Sequence, residues 1–351
     1  MQSLPFIDIR QGGPGQLIRT WPDRARAMIR ASRRTLGPIS DIISHFALPQ
    51  GDRISRDWLV RTGNPFYNEI RDIAEILKVP GVYAFNLCFE WGCTSAVYAQ
   101  YTGPTLTRVL DWRFPQLGEN AMVVLQRGDA GDFYNVTWPG LSGMFQGVAP
   151  DRFAAALNQA PMQRHNLTYA GDWIRNRRKV FQLAGLPPAH LLRLAFERAA
   201  DFHEATKMLA QTPVALPVIY VIAGVRESEG CVIERTERDH AIRPLNIDRV
   251  CAANHFESRL RGQGHGWRAR PIDSTGRSHA AHALPPAAVD DQFTWYRPPI
   301  ANAHSRLVMQ ANARTGRFSV FGTHGEQRVT DVFHSAPNSD QETADTGRTA
   351  R

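Results

Sequence analysis

The period of the hydrophobic pattern changes at residue 93, and this change limits the possible folds more than any other feature of the sequence. Before residue 93, apolar residues recur at helical spacing. After it, segments such as CTSAVYAQY, TLTRVLDW and AMVVLQR are rich in β-branched, aromatic or alternating residues. Helical spacing returns at about 189–211, and strand-like segments return from residue 216. This order predicts an α+β layered fold in which helices pack outside a pair of antiparallel sheets.

Two helices are predicted ahead of residue 93. The first covers residues 20–47, and its apolar stripe consists of Ala25, Met28, Ile29 and Leu36. The second can be capped by Asn64, has Pro65 at a favourable first position, and ends at Pro80 and Gly81. Its apolar stripe consists of Phe66, Ile70, Ile73, Ala74 and Leu77. Because this stripe needs a partner surface, we expect the N-terminal helices to pack against the rest of the chain.

The sequence divides into three parts. Residues 1–92 form a predicted helical N-terminal segment, and residues 93–334 form one large β-rich domain. Within that domain, residues 257–295 hold many Gly, His, Pro and Arg residues, which predicts a long excursion or lobe. Residues 335–351 have no apolar pattern and are predicted to be disordered.

Composition limits the partners that the chain can have. No run of about 18 apolar residues predicts a membrane span, and the first residues lack the apolar stretch of a secretory signal, so a cytoplasmic location is expected. The net charge of +8 comes almost wholly from arginine. The local basic patches are typical of solvated helix faces, although attraction to an anionic partner is an alternative. Because no recognised nucleic-acid motif accompanies the charge, nucleic-acid binding is not expected.

The cysteine and histidine spacings predict neither a disulfide scaffold nor a metal site. The four cysteines contain no C-x-x-C pair. His279 and His282 form an H-x-x-H pair without a partner pattern, in a stretch whose composition is typical of a loop. No metal and no cofactor are therefore expected.

Cys93 follows a glycine, and this arrangement allows two interpretations. A thiol is nucleophilic only as the thiolate, so it needs a base or a lowered pKa. If the bond between Gly92 and Cys93 is cleaved, the new α-amine of Cys93, with an ordinary pKa of about 7.7–8.0, can serve as that base. The Cys93 thiol itself can perform this cleavage by attacking the Gly92 carbonyl. The alternative interpretation is a buried structural thiol.

Three further polar residues can meet Cys93. If TLTRVLDW pairs with CTSAVYAQY through a turn at residues 102–104, Arg108 and Asp111 return toward Cys93. Positions three apart face opposite sides of an ideal strand, so both reach one site only at a strand end or bulge. Asn254 ends a strand-like segment, where its amide can donate to an oxyanion. The alternatives are a surface ion pair for the first two and a strand-terminating residue for Asn254.

Taken together, these features resemble the choloylglycine hydrolase-like branch of the N-terminal-nucleophile (Ntn) cysteine hydrolases, and within it the acid ceramidase and N-acylethanolamine acid amidase group. The resemblance covers roughly residues 60–160 and 215–256. It rests on the segment NPFYNEIRDIAEILKVPGVYAFNLCFEWGCTS, with Asn86 and Glu90, on TWPGLSGMFQGVAPDRFAAALNQ, and on the order of Cys93, Arg108, Asp111 and Asn254.

The resemblance implies a four-layer αββα sandwich and a role for each matched residue. Cys93 would be the nucleophile after autoproteolysis at Gly92–Cys93, and residues 93–334 would be the catalytic domain. Arg108 and Asp111 would hold the thiol and the amine, and Asn254 would donate to the oxyanion. Asn158 and a later arginine would complete the site. For that arginine, Arg277 is the candidate and Arg259 the second choice.

One departure concerns the substrate side of the site. The relatives have a glutamate where this chain has Gln159, which argues against acid-triggered activation. Together with the missing secretory signal, this favours an enzyme that works near neutral pH. Gln159, Trp138 and Phe145 are expected to line the substrate side, and core packing is the alternative for them.

Three functional hypotheses follow. The first is an amidase that hydrolyses a linear amide, an N-acyl amine or N-acyl amino acid, through a thioester on Cys93, and whose N-terminal fragment stays bound after cleavage. The second is an acyltransferase of the penicillin acyltransferase type, which forms the same thioester and passes the acyl group to an amine. The third is a basic protein that binds nucleic acid or a membrane surface and has an inert site.

Overall fold

The structure, a computed structural model, describes residues 1–32, 40–87, 91–114, 116–165, 167–260, 266–269 and 272–335. The helices are α1 (Gly13–Thr20), α2 (Pro22–Ser32), α3 (Ser40–Arg61), α4 (Tyr67–Leu77), α5 (Val82–Asn86), α6 (Leu117–Asn120), α7 (Tyr169–Val180), α8 (Pro188–Arg198), α9 (Phe202–Gln211) and α10 (Ser274–Ala283). The first strands are β1 (Phe6–Asp8), β2 (Gly92–Tyr98), β3 (Thr105–Asp111), β4 (Met122–Gly128), β5 (Gly131–Thr137), β6 (Gln146–Ala149), β7 (Phe153–Gln159) and β8 (Met162–Gln163). The later strands are β9 (Val218–Ala223), β10 (Gly230–Arg235), β11 (His240–Pro244), β12 (Arg249–Ala252), β13 (Trp267–Arg268), β14 (Ser305–Asn312), β15 (Arg317–His324), β16 (Gln327–Arg328) and β17 (Phe333–His334).

Two large sheets form the centre of the described structure. Sheet A has the strand order β1-β4-β5-β6-β7-β9-β10-β11. Sheet B has the order β12-β2-β3-β14-β15-β16, and β17 also pairs with β15. The described pairs in these sheets are antiparallel, except that β1 runs parallel to β4. The central strands β2, β3 and β7 are buried along their whole length, which explains their high content of apolar and small residues.

The two sheets pack face to face and are covered by helices, so the chain forms the four layers of an αββα sandwich. Side chains of β2, β3 and β14 meet those of β6, β7 and β9 in one continuous hydrophobic core. Helices α8 and α9 cover the outer face of sheet A. Helix α10 and the segment that follows it cover the outer face of sheet B, where Tyr98, Val109 and Phe321 pack against Leu284 and Trp295. The predicted α+β sandwich is confirmed.

The N-terminal segment differs in detail from its prediction. It is not wholly helical, because β1 adds a strand to the edge of sheet A. Within the helix predicted over residues 20–47, the structure describes α2 up to Ser32 and α3 from Ser40, and residues 33–39 lie outside the described residues. Ala25, Met28 and Ile29 are fully buried as expected, whereas the predicted contribution of Leu36 falls outside the described residues.

The second predicted helix is confirmed as α4. Asn64 Oδ1 accepts a hydrogen bond from the backbone N–H of Phe66 at 3.0 Å in the turn before the helix. The N-cap residue is Phe66, so the predicted capping by Asn64 and the predicted first helical position of Pro65 are wrong. The helix ends at Leu77, earlier than predicted, because Lys78 adopts the left-handed conformation with φ of 52°. The predicted stripe of Phe66, Ile70, Ile73 and Leu77 is buried in the same core as the sheets, and Ala74 packs against that core.

Residues 257–295 do not form a separate lobe. In their described part, β13 pairs with β8 in a two-stranded sheet, and α10 packs on β2 and β12 of sheet B. The prediction that His279 and His282 lie in a loop is wrong, because both belong to α10. Asp273 caps this helix by accepting a hydrogen bond from the N–H of Gly276 at 2.9 Å. The tail predicted to be disordered lies, apart from Ser335, outside the described residues.

Most of the positive charge lies outside the core. Among the described residues, the buried arginines are Arg108, Arg152, Arg193, Arg235, Arg277 and Arg306, and the buried acidic residues are Asp111, Asp172, Glu229 and Glu234. The described helices include none that is both long and apolar enough to cross a membrane. Within the same residues, no group of three or more His, Cys, Asp or Glu side chains is arranged to hold a metal ion.

Candidate functional site

Cys93 lies near the start of β2, fully buried between the neighbouring strands β3 and β12 of sheet B. The preceding Gly92 pairs with Asp111. A Cβ atom added to Gly92 would lie 2.8 Å from Cδ1 of Ile272 and 3.3 Å from Cβ of Asp111. A larger residue at this position would therefore crowd Ile272 and Asp111, whereas glycine also leaves its carbonyl open to attack.

The Cys93 sulfur points toward sheet A, where Arg108 is the neighbouring cation. Cys93 Sγ lies 3.7 Å from the Leu157 carbonyl oxygen. Arg108 Nη1 donates to the same carbonyl at 2.5 Å and to Asn158 Oδ1 at 2.6 Å. Its Nε and Nη2 groups have no acceptor among the described residues. These free N–H groups beside the thiol can bind a thiolate or the oxygen of a reacting carbonyl.

Asn158 and Ser95 fix the position of Arg108. Ser95 and Arg108 are directly paired across β2 and β3, and Ser95 Oγ donates to Asn158 Oδ1 at 2.7 Å. Asn158 Nδ2 in turn donates to the backbone carbonyls of Ala252 and Ala253 at 3.0 and 3.1 Å. Asn158 therefore contacts Arg108 rather than the sulfur, and it is placed to orient that arginine.

The backbone of Cys93 is held by a second set of residues. Its N–H donates to Asn254 Oδ1 at 2.9 Å. Arg277 Nη2 donates to the same oxygen at 2.7 Å, and Arg277 Nη1 donates to the Cys93 carbonyl at 2.5 Å. Asn254 Nδ2 donates to the Gln159 carbonyl at 2.8 Å. These partners fix the amide orientation, so Asn254 offers its oxygen to the Cys93 nitrogen. This differs from the predicted donation to an oxyanion.

Asp111 belongs to this second set and does not touch the thiol. Its Oδ2 accepts from Arg277 Nη1 at 3.2 Å, and its Oδ1 accepts from Ser305 Oγ at 2.8 Å. Arg108 and Asp111 thus lie on opposite faces of β3, as their odd spacing requires. Both nevertheless act on Cys93. Arg108 lies on the side of its sulfur, and Asp111 belongs to the residues that hold its backbone. Asp111 is the last residue of β3, and the pairing of β14 shifts between Ser305 and Leu307.

Burial dominates the ionisation of the site in the uncut chain. It raises the pKa of the Cys93 thiol to about 11, against the opposing positive charges of Arg108 and Arg277. Burial also raises the pKa of Asp111, and Arg277 opposes this shift. It lowers the pKa of Arg108, which still stays charged at neutral pH. In the uncut chain, therefore, the Cys93 thiol is protonated at neutral pH.

The three residues expected on the substrate side lie close together around the residues that flank Cys93. Gln159 Oε1 accepts from the backbone N–H of Trp91 at 3.1 Å. The Phe145 ring lies 4.7 Å from the Trp91 ring and 6.1 Å from the Trp138 ring, measured between centroids. Trp138 is completely buried, and its Nε1 donates to the Leu117 carbonyl at 2.7 Å.

The structure distinguishes between the two arginines that were candidates for completing the site. Arg277 reaches the site, whereas Arg259, the second choice, is 73% exposed and pairs with Asp239 at the surface. Glu90 lies outside the described residues. Sequence reasoning missed Ser95 and Trp91. The strand alternation of β2 contained the signal for Ser95, because residue 95 faces the same side as residue 93.

Comparisons with known proteins identify relatives of this chain. The chain is 24% identical over 203 residues to acid ceramidase of Heterocephalus glaber, covering 52% of this chain and 50% of that protein. It is 27% identical over 269 residues to the N-acylethanolamine-hydrolyzing acid amidase of Mus musculus, covering 73% of this chain and 66% of that protein. The match thus spans about half the length of the acid ceramidases. No protein-family model matches the chain.

The fold is shared with a solved structure as well. The Caenorhabditis elegans ortholog of N-acylethanolamine-hydrolyzing acid amidase superposes with a TM-score of 0.50 at 19% identity, covering 63% of this chain and 93% of that chain. The chain is therefore a homologue of the acid ceramidases and N-acylethanolamine-hydrolyzing acid amidases, and it has the Ntn-hydrolase sandwich.

Proposed function

We propose that this homologue of the acid ceramidases cleaves its own Gly92–Cys93 bond and then hydrolyses a linear amide through a thioester on Cys93. One observation carries the proposal. The Cys93 nitrogen is held by Asn254 on one side of β2, while the Cys93 sulfur lies beside the free N–H groups of Arg108 on the other. A cysteine used only for packing needs neither arrangement.

Self-cleavage begins with attack of Cys93 Sγ on the Gly92 carbonyl carbon. The carbon–sulfur bond forms, the bond from that carbon to the Cys93 nitrogen breaks, and the thiol proton passes to the released amine. Water then hydrolyses the thioester and leaves a carboxylate on Gly92. Because the carbonyl oxygen becomes negative during attack, a nearby cation such as Arg108 lowers the barrier.

Cleavage places a base directly beside the thiol. The new α-amine remains on Cys93, and an ordinary α-amine titrates at about 7.7–8.0. Asn254 Oδ1, which accepts from the peptide N–H in the uncut chain, can accept from this amine and keep its lone pair directed at the thiol. Asp111 and Arg277 hold the same backbone in place.

Hydrolysis of the substrate repeats the same chemistry. The α-amine takes the thiol proton as Cys93 Sγ attacks the carbonyl of an N-acyl amine or N-acyl amino acid. The protonated amine then donates to the leaving nitrogen, and the carbon–nitrogen bond breaks. Water activated by the α-amine releases the carboxylic acid and restores the thiol. These steps require no cofactor.

We propose that the N-terminal fragment stays bound after cleavage. Arg193 of α8 donates to Glu69 of α4 at 2.6 Å and to Glu197 at 2.8 Å, and it lies 4.4 Å from the centre of the Phe66 ring. The buried α4 stripe and the pairing of β1 with β4 add to this interface.

We also propose a cytoplasmic location, which cell fractionation tests.

The direct test is hydrolysis of N-acyl amines and N-acyl amino acids by the purified protein. We expect wild-type protein to release the carboxylic acid and Cys93→Ala protein to release none. Cys231→Ala is the matched control, because Cys231 is also a buried free thiol but lies in β10. Full activity of Cys93→Ala protein rules out the proposal. Adding a competing amine distinguishes the acyltransferase alternative, because a transferase forms a new amide in place of the acid.

The basic binding alternative has its own test. Strongly salt-dependent binding to duplex DNA or to anionic vesicles, together with no amide hydrolysis, would favour it.

A further inference from the structure

Trp91 occupies a closed aromatic cage next to Cys93. Its ring centroid lies 4.7 Å from that of Phe145 at 70° and 5.7 Å from that of Trp112 at 59°. Phe145 and Trp112 contact each other at 5.8 Å, and Trp138 lies behind Phe145. These edge and tilted contacts are the geometries that aromatic rings prefer. All four rings are at most 4% exposed.

The Trp91 indole nevertheless has a hydrogen-bonding group that the cage does not pair. Its Nε1–H has no acceptor among the described residues, although the atom is fully buried. A buried donor without a partner costs free energy that is recovered when the group returns to water. By contrast, the Trp138 N–H donates to the Leu117 carbonyl. The Trp138 N–H therefore has a hydrogen-bond acceptor, whereas the Trp91 N–H has none among the described residues.

Trp91 belongs to the acyl side of the bond that the chain is proposed to cleave. During self-cleavage the thioester carbonyl is that of Gly92, so Trp91 is the first side chain of the acyl group on Cys93 Sγ. A substrate amide places its own acyl group on the same sulfur. The position of Trp91 therefore marks where a group attached to the thioester carbonyl lies.

We infer that the cage of Trp112, Trp138 and Phe145 is the acyl-binding subsite, and that it selects acyl groups with a terminal aromatic ring. This inference rests on the proposed function. After cleavage, the Gly92 end of the N-terminal fragment leaves the cage. The aromatic ring of a substrate acyl group then takes the place of the Trp91 indole against the rings of the cage. A 6-arylhexanoyl group fits the spacing, because its ring is as many atoms from the carbonyl as the Trp91 ring is from that of Gly92. Gln159 binds the Trp91 backbone N–H, so it would lie beside the methylene chain that links the substrate ring to its carbonyl.

The experiment compares three amides of one amine, with 6-phenylhexanoyl, 6-cyclohexylhexanoyl and hexadecanoyl groups. The first two match in length and ring size, so they differ chiefly in the π-system. We expect kcat/KM for the phenyl compound to exceed that for the cyclohexyl compound by roughly tenfold, as several favourable ring contacts provide. It should also exceed that for the hexadecanoyl compound.

Variants assign that preference to the cage. Phe145→Leu and Trp112→Leu should each remove most of the preference for phenyl over cyclohexyl. Phe133→Leu is the matched control, because Phe133 is equally buried but packs against Phe196 on another part of sheet A. The control should keep the preference. Self-cleavage of each variant, read by mass, shows that its site has folded.

The outcomes separate the inference from the proposed function. Hydrolysis of these amides without a preference for the phenyl compound, or a preference that survives both cage variants, overturns the inference and leaves the amidase standing. Failure of the cleaved protein to hydrolyse any of the three overturns the proposed function together with the inference.

Discussion

The backbone N–H of Cys93 donates a hydrogen bond of 2.9 Å to the side-chain oxygen of Asn254, a residue 161 positions later in the chain. This bond joins β2 to the second residue after β12, the strand that neighbours β2 at the edge of sheet B. It holds the atom that cleavage would convert into an α-amine. The role of Asn254 in the proposed mechanism is therefore to orient a base.

Replacing Asn254 tests this role. Asn254→Ala removes the acceptor for the Cys93 nitrogen, and misplacing a catalytic group usually costs on the order of 10²-fold in rate. We expect kcat of the cleaved protein to fall by about that factor, with a smaller change in KM. Steady-state kinetics on one amide measures this. Asn312→Ala is the control, because Asn312 is also buried but lies at the far end of β14. Equal losses in the two variants would contradict the assignment.

Arg277 is expected to hold the buried carboxylate of Asp111 in place. Both side chains are at most 1% exposed and lie 3.2 Å apart. Arg277→Met leaves that carboxylate unpaired, which typically destabilises a protein by about 3–5 kcal/mol. Urea unfolding of the uncut Cys93→Ala protein measures this loss without interference from cleavage.

The control for Arg277 is Arg259→Met. Arg259 is 73% exposed, so its replacement should change the free energy of unfolding by no more than about 0.5 kcal/mol. Adding Asp111→Leu to Arg277→Met should recover part of the lost stability, because the unpaired charge is removed. Similar losses for the two arginine variants would show that the buried ion pair is unimportant.

Gly92 is expected to be required for fast self-cleavage. In Gly92→Ala, the new Cβ would lie 2.8 Å from Ile272 Cδ1 and 3.3 Å from Asp111 Cβ, so these side chains or the scissile peptide must shift. We expect fragments to appear at least about tenfold more slowly, which a displacement of reacting atoms can readily cause. Adding Ile272→Ala should restore part of the rate. Gly51→Ala is the control, since its Cβ meets only Ala84 Cβ, at 3.8 Å. Unchanged cleavage in Gly92→Ala would argue against a tightly packed scissile bond.

His190 gives the stability a pH dependence. Burial lowers its pKa to about 3, with help from the charge of Arg193. Its Nδ1 accepts from Asn64 Nδ2 at 3.0 Å, so the ring is neutral in the folded state. The unfolded chain binds a proton below an ordinary pKa of about 6.5. The stabilisation is therefore complete above about pH 6.5 and is lost as the pH falls toward 3.

The slope of that loss is about 1.4 kcal/mol per pH unit. When the pH falls from 6.5 to 5, the free energy of unfolding of His190→Gln should consequently decrease by about 2 kcal/mol less than that of the parent protein. Urea unfolding of Cys93→Ala protein with and without His190→Gln measures the difference, and the exposed His279→Gln serves as control. Parallel pH profiles for the parent and His190→Gln would refute the prediction.

The sequence predicts most of the fold near Cys93 because the signals there are local. The segments assigned to β2, β3, β4 and β7 have clear strand patterns between turn residues, and all four are present. Asp201 likewise gives a local signal for the start of α9, which it caps by accepting a hydrogen bond from the N–H of Glu204 at 2.9 Å. These features depend on a few adjacent residues.

The elements that the sequence does not predict depend on distant contacts. β1 has three residues, too few for a periodic signal, and exists because it pairs with β4. The α10 sequence, STGRSHAAHA, has a weak apolar stripe, and the helix is stabilised by packing on β2 and β12. Arg277 extends from this helix into the site. Resemblance to the family therefore suggests this arginine, whereas its spacing from Cys93 along the chain does not.

The division of the site into two sets also follows from physical rules. The odd spacing of Arg108 and Asp111 places them on opposite faces of β3, and this much is readable from the sequence. Their separate partners, the sulfur side and the backbone side of Cys93, become visible only when the neighbouring strands and α10 are placed.

The measurement that tests the central claim most directly is the intact mass and N-terminal sequence of the purified protein beside its Cys93→Ala variant. If Cys93 is a self-generated N-terminal nucleophile, the wild type yields two fragments, the larger one begins Cys-Thr-Ser, and the variant remains one chain. A wild-type protein that hydrolyses amides while remaining a single uncut chain, or a Cys93→Ala variant that is cut at the same bond, would contradict the claim.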